Sequence, residues 1–211
     1  MRAWIIAFLL PAAVTAQKNS PLPVPPVALS RADQILLAKS GAPEDISRNA
    51  KVWVLENGHD VVAVQGTSGM ACAIIRDQPN SSTPQCGDAE ADATVEAIAR
   101  FQTEQRLAGK TQDEIKAEVE SGLASGQFRL PQRPALVYMT SSAQVIADAN
   151  GEHRTHFLPH VMVFYPNMQA KAMGIVASNS MDIPNLDDEG KPTSRLVVVV
   201  RDWTEPAKTT Q

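Results

Sequence analysis

Residues 66–76 read G-T-S-G-M-A-C-A-I-I-R and residues 77–86 continue D-Q-P-N-S-S-T-P-Q-C. This unit joins a turn, an apolar strand and both cysteines of the chain, and its reading decides the fold. Gly66 and Gly69 bracket Thr67 and Ser68, which predicts a sharp turn with φ > 0 at both glycines, feeding a strand over Met70–Arg76. A phosphate cradle would need further glycines, a lysine and a helix directly after it, and here a strand follows. From Asp77 to Gln85 the run holds Pro79, Asn80, Ser81, Ser82 and Pro84 without apolar period, so it reads as a loop that carries Cys86 back to Cys72.

Outward from this unit, the N-terminus begins Met1-Arg2, followed by an apolar run over 3–10 and V-T-A at 14–16. That is the pattern of an export signal cut before Gln17, with an apolar run too short to span a bilayer. Residues 17–29 hold four prolines and read as an extended tether. Export sends the chain to an oxidising compartment, where two cysteines are more often paired than free, so a Cys72–Cys86 disulfide is expected. The competing reading is a reactive thiol at Cys72. The 211 residues carry a formal net charge of −4 and no basic stripe, which argues against a nucleic-acid partner. No segment after the leader reads as membrane-spanning.

Residues 30–203 read as one domain and 204–211 as a flexible tail. Ser30 with Asp33 marks a helix start, and Gly41 its end; Pro43-Glu44-Asp45 opens a second short helix. Lys51–Glu56 and Asp60–Gln65 are β-branched runs around Asn57-Gly58, a hairpin signal, and with Met70–Arg76 they predict an antiparallel meander. From Asp88 to Leu107 the apolar period becomes helical, and Thr111-x-x-Glu114 opens another helix stopped by Gly126. Both stripes are expected to pack on the sheet. Ala135–Thr140, His160–Tyr165 and Arg195–Arg201 supply later strands. The fold class is α+β: a mainly antiparallel sheet with two amphipathic helices packed on it.

The residues with ligand-like spacing are His153, His156 and His160, H-x2-H-x3-H, with Asp148 upstream. Pro159 breaks helical spacing there, and the simpler reading has His153 and His156 in a solvated loop and His160 at a strand start. No cofactor is expected, a transition metal on these histidines being the one weak exception. The acidic run with Asp182, Asp187, Asp188 and Glu189 lacks the alternation of a calcium loop. Serine-nucleophile patterns are absent, and a disulfide would remove Cys72 as a nucleophile.

G-T-S-G-M-A-C, P-Q-C-G-D, Y-M at 138–139 and P-H-V-M at 159–162 resemble, in this order, a family of uncharacterised exported bacterial proteins with motifs G-T-N-G-x-x-C, P-x-C-x-D, Y-M and P-H-x-M. Ser68 departs from the family's asparagine, and T-S-S-A-Q-V-I-A-D over 140–148 replaces its glycine- and serine-rich run. The resemblance brings no activity. It implies that Gly66, Thr67, Gly69, Cys72, Cys86, Asp88, Tyr138, Met139, Pro159 and His160 matter, and that a shared pocket would lie where Thr67, Tyr138 and His160 meet. The expectation is an exported, periplasmic or secreted domain binding a ligand or an envelope protein without catalysis. The alternatives are a hydrolase-like enzyme using His160, with or without a metal, and a structural envelope protein.

Overall fold

A computed structural model describes residues 28–78, 80–147, 154–155, 158–175 and 183–208. The leader, most of the tether, Asp148, His153, His156 and Asp182 lie outside the described residues. In chain order the elements are α1 (Arg31–Lys39), α2 (Glu44–Ser47), β1 (Lys51–Glu56), β2 (His59–Val64), β3 (Ala71–Ile75), β4 (Thr83–Gly87), α3 (Ala89–Asp92), α4 (Val95–Leu107), α5 (Gln112–Ser125), β5 (Ala135–Met139), β6 (Ile146–Ala147), β7 (Arg154–Thr155), β8 (His160–Phe164), α6 (Ala170–Met173), β9 (Asn185–Asp187) and β10 (Arg195–Val199).

The main sheet runs β2-β1-β3-β4-β5-β8-β10-β9, with β6 and β7 paired separately. Asn57 and Gly58 both take positive φ, the left-handed turn that folds β1 onto β2 in antiparallel register. The expected meander is corrected at the next step: β3 does not follow β2 but lies on the other side of β1, parallel to it, with Val52 opposite Cys72. The remaining pairings in this sheet are antiparallel.

The stretch over 77–85 is corrected too, because its second half is β4, bonded to β3 and β5 on both edges. Pro84 and the absence of alternation hide it from a local reading. Cys86 stands directly opposite Cys72, with Cα atoms 4.0 Å apart and the sulfurs bonded.

Side chains alternate between faces along each strand. Ala38 and Ala42 of the α1–α2 region pack with Val52, Val54 and the two cysteines on one face. Ala91 of α3 packs with Ala135, Val137, Met139, Met162 and Val197 on the other. The helical stretch 88–107 breaks at Thr94, where φ −132° and ψ −97° separate α3 from α4. The expectation of two helices on the sheet is corrected as well: α4 lies over β2 and β3, whereas α5 leans on α4, with Phe101 and Phe128 rings 5.0 Å apart. The Thr111–Glu114 capping box and the left-handed Gly126 bound α5 as its sequence predicts.

The segment 140–145 is part of the interior. The Ser40 and Ser141 hydroxyls are 2.6 Å apart, and Thr140 bonds through its amide and hydroxyl to the Gly41 carbonyl. Thr140 and Thr204 hydroxyls meet at 2.8 Å, and the Thr204 amide donates to the Thr140 carbonyl, so backbone pairing continues past residue 203. Among the described residues no helix is long and apolar enough to cross a membrane.

Candidate functional site

The order β2-β1-β3 forces the chain leaving β2 to pass under the start of β1 before β3 can begin. Residues 65–70 make this crossing. A Cβ at Gly66 would sit on the Lys51 backbone nitrogen and 2.5 Å from the Ala50 carbonyl carbon, so close backbone approach is what glycine supplies there. Gly66 does not take positive φ, contrary to expectation; Gly69 does, at +78°. The Thr67 and Ser68 amides both donate to the Asn49 carbonyl, at 2.9 and 3.2 Å, and the Lys51 amide donates to the Met70 carbonyl. Gln65 to Gly69 are nevertheless all exposed. The result is a turn held from beneath with two hydroxyl side chains facing solvent.

Tyr138 and His160 do not join Thr67. On β5, Val137 and Met139 point into the α3 face, so Tyr138 points away from it and packs against the cluster holding the disulfide. On β8, His160 is in phase with Met162 and therefore lies on the α3 face. Tyr138 and His160 are thus on opposite faces. His160 lies three strands from β3, roughly 14 Å at ordinary strand spacing, while Thr67 lies in the turn that precedes β3. The expected common pocket for Thr67, Tyr138 and His160 does not form.

His160 is 3% exposed, and its Nδ1 donates to the Leu158 carbonyl at 2.7 Å, which fixes the proton on that nitrogen. Burial lowers its pKa and the nearby Arg195 adds to this, against the Leu158 bond and Asp187. The neutral ring serves as a packed polar residue where the polypeptide enters β8. Among the described residues, no three metal-binding side chains gather. The acidic run is paired: Asp188 accepts from Lys191 and Thr193, and Glu189 accepts from the Ala170 amide.

The chemistry that the sequence reading passed over lies where α3 and α4 meet β1. Asp92 accepts from Lys51 Nζ at 2.5 Å and from Trp53 Nε1 at 2.9 Å, and Arg100 Nη1 lies 3.0 Å from it. The Arg100 guanidinium also covers the Trp53 ring at 4.5 Å from its centroid. Beside this hub Glu96 is 2% exposed, and neither carboxylate oxygen has a hydrogen-bond partner among the described residues. Burial pushes its pKa up to about 8; Arg100 and Lys51 oppose the rise, and Asp92 and Asp88 add to it.

Asp60, on β2, is pushed up to about 7 by burial, with Glu104 adding and Arg100 opposing. Its Oδ2 is buried without a partner among the described residues, close to a cavity of about 10 Å3 lined by Gln34, Trp53, Asp60, Arg76 and Thr103, which is room for one water. Glu90 of α3 shows the opposite behaviour. Arg129 at 2.7 Å, then the Gln132 amide, hold it down to about 2 and tie the 129–133 connector to α3. The sequence signal for the hub was present in part, as Glu96 and Arg100 at four-residue spacing, read there only as part of a helix.

Comparison with family models, with curated proteins and with solved structures returns no match.

Proposed function

We propose that the chain is an exported protein of the bacterial cell envelope that binds a partner or ligand without catalysing a reaction, and that the turn Gln65–Gly69 is its contact element. The observation that carries this reading is a turn both fixed and uncovered. Two amides bonded to the Asn49 carbonyl and the close approach of Gly66 hold the backbone, and Thr67 and Ser68 face solvent. A surface ordered before contact loses little entropy on binding, which is what recognition by a short turn requires. The Thr67 hydroxyl offers donor and acceptor capacity, and Ser68, whose Oγ accepts from the Met70 amide at 3.3 Å, keeps its O–H to donate.

Export is supported by the leader pattern at residues 1–16 and by the bonded cysteines, since such bonds persist in oxidising compartments. The hydrolase alternative gains nothing from His160, whose ring is buried and donates to Leu158.

The test is a photo-crosslinking residue placed at Thr67, with a control at the exposed Glu120 on α5. Irradiation of intact cells should give a discrete product from position 67 and none from 120. Equal background at both positions would remove the turn as contact element and favour a structural envelope role.

A further inference from the structure

Glu96 is the second residue of α4, and its carboxyl is pressed on Gly87 of β4: a Cβ added to that glycine would lie 2.8 Å from Oε2 and 2.8 Å from the Ala91 Cβ. The space between helix and strand is therefore filled by the carboxyl itself. Neither of its oxygens has a hydrogen-bond partner among the described residues. The charged groups around it are Lys51 from β1, Asp88 and Asp92 from the α3 segment and Arg100 from α4; β4 presents no charge there, only Gly87. Both cations are already engaged by Asp92. The two aspartates repel a second negative charge. An ionised Glu96 would thus be a buried charge with no partner of its own, and the neutral carboxyl, which buries polar atoms but no charge, is the less costly form in this site.

We propose that Glu96 is a proton-operated latch: its neutral form seats the first turn of α4 on Gly87, and loss of the proton drives that turn outward until the carboxylate reaches water. The raised pKa places the transition on the alkaline side of neutrality. Opening must disturb the hub one turn further along, because Arg100 sits on the same helix and covers Trp53, whose indole donates to Asp92. Trp53 is therefore a built-in reporter.

The experiment is a pH titration followed by NMR on the full chain, reading the Glu96 side-chain carboxyl carbon and the Trp53 indole N–H together. The expected result is one midpoint near 8 for both signals, and a Trp53 step that is absent in Glu96→Gln, whose uncharged side chain mimics the protonated acid. Titration of the Glu96 carboxyl in the ordinary carboxylate range would overturn the latch, and this holds on wild-type protein even if the variant fails to fold. Asp60, pushed up to about 7 in the cavity that Trp53 also lines, titrates in both proteins and is removed from the comparison with Asp60→Asn. In that background a Trp53 step that persists in Glu96→Gln, or a Glu96 midpoint near 8 with no Trp53 response, would overturn the latch as well.

Discussion

Replacing Gly66 and Gly69 separately by alanine tests the crossing under β1, because the same added methyl meets two different obstacles. At Gly66 the Cβ falls on the backbone of Ala50 and Lys51, which cannot rotate aside as a side chain would. Overpacking of this kind costs about 1–3 kcal/mol and sometimes more, and the backbone obstacle puts Gly66→Ala at the upper end, about 3 kcal/mol. At Gly69 nothing lies within 4 Å, and the obstacle is conformational, with φ at +78°. Holding an L-residue there costs about 1–2 kcal/mol, reduced by the stiffer unfolded chain, for a net loss of about 1 kcal/mol. Urea unfolding followed by tryptophan fluorescence gives both values as midpoint shifts at constant slope. Gly66→Ala within about 0.5 kcal/mol of wild type, or a larger loss at Gly69 than at Gly66, would refute the crossing as described.

Reducing the Cys72–Cys86 bond, which spans a separation of 14, should remove about 3 kcal/mol by freeing the unfolded chain; an unchanged unfolding midpoint with reductant, thiols verified free, would contradict this. For Glu96 the folded acid keeps its proton between about 4.5 and about 8, where the unfolded one has lost it, so this group's stabilisation falls as pH rises through that window and is flat above it. The loss of stability between about pH 5 and about pH 9 should therefore be smaller in Glu96→Gln, by up to about 4 kcal/mol; equal losses in both proteins would show that the carboxyl is not held neutral. Thr111→Ala removes the hydroxyl that accepts from the Glu114 amide and should cost about 1 kcal/mol, measured by the same unfolding assay; a loss indistinguishable from zero would mean the capping box does not hold α5.

Caps and the hairpin turn are written in a few neighbouring residues, whereas strand pairing is not. Ser30 capping α1, Asn57-Gly58 turning the hairpin and the Thr111–Glu114 box each act within a few residues, so the sequence carries them in full. The strand β4 was hidden because T-P-Q-C-G has neither alternation nor β-branched density; its pairing with β3 and β5 and its bond to Cys72 come from tertiary contacts. The parallel pairing of β1 and β3 was equally hidden, since a six-residue connection reads alike whether it crosses a strand or returns beside it.

Other features were legible and went unread. His160 alternates in phase with Met162 and Phe164, a pattern that marks its ring as interior, and Tyr138 is out of phase with Val137 and Met139. Glu96 and Arg100 are four residues apart on α4, a spacing that places them on one face, whereas Asp92 joins them only through the break at Thr94, which no periodicity marks.

Export and oxidation of the chain are both reached by one measurement. Intact mass of the protein taken directly from cell envelope and periplasmic fractions, with thiols blocked by an alkylating agent at lysis, should show a chain beginning at Gln17 and carrying no alkyl group until it is reduced. A mass that retains Met1–Ala16, or one in which Cys72 and Cys86 are both alkylated before reduction, would contradict it.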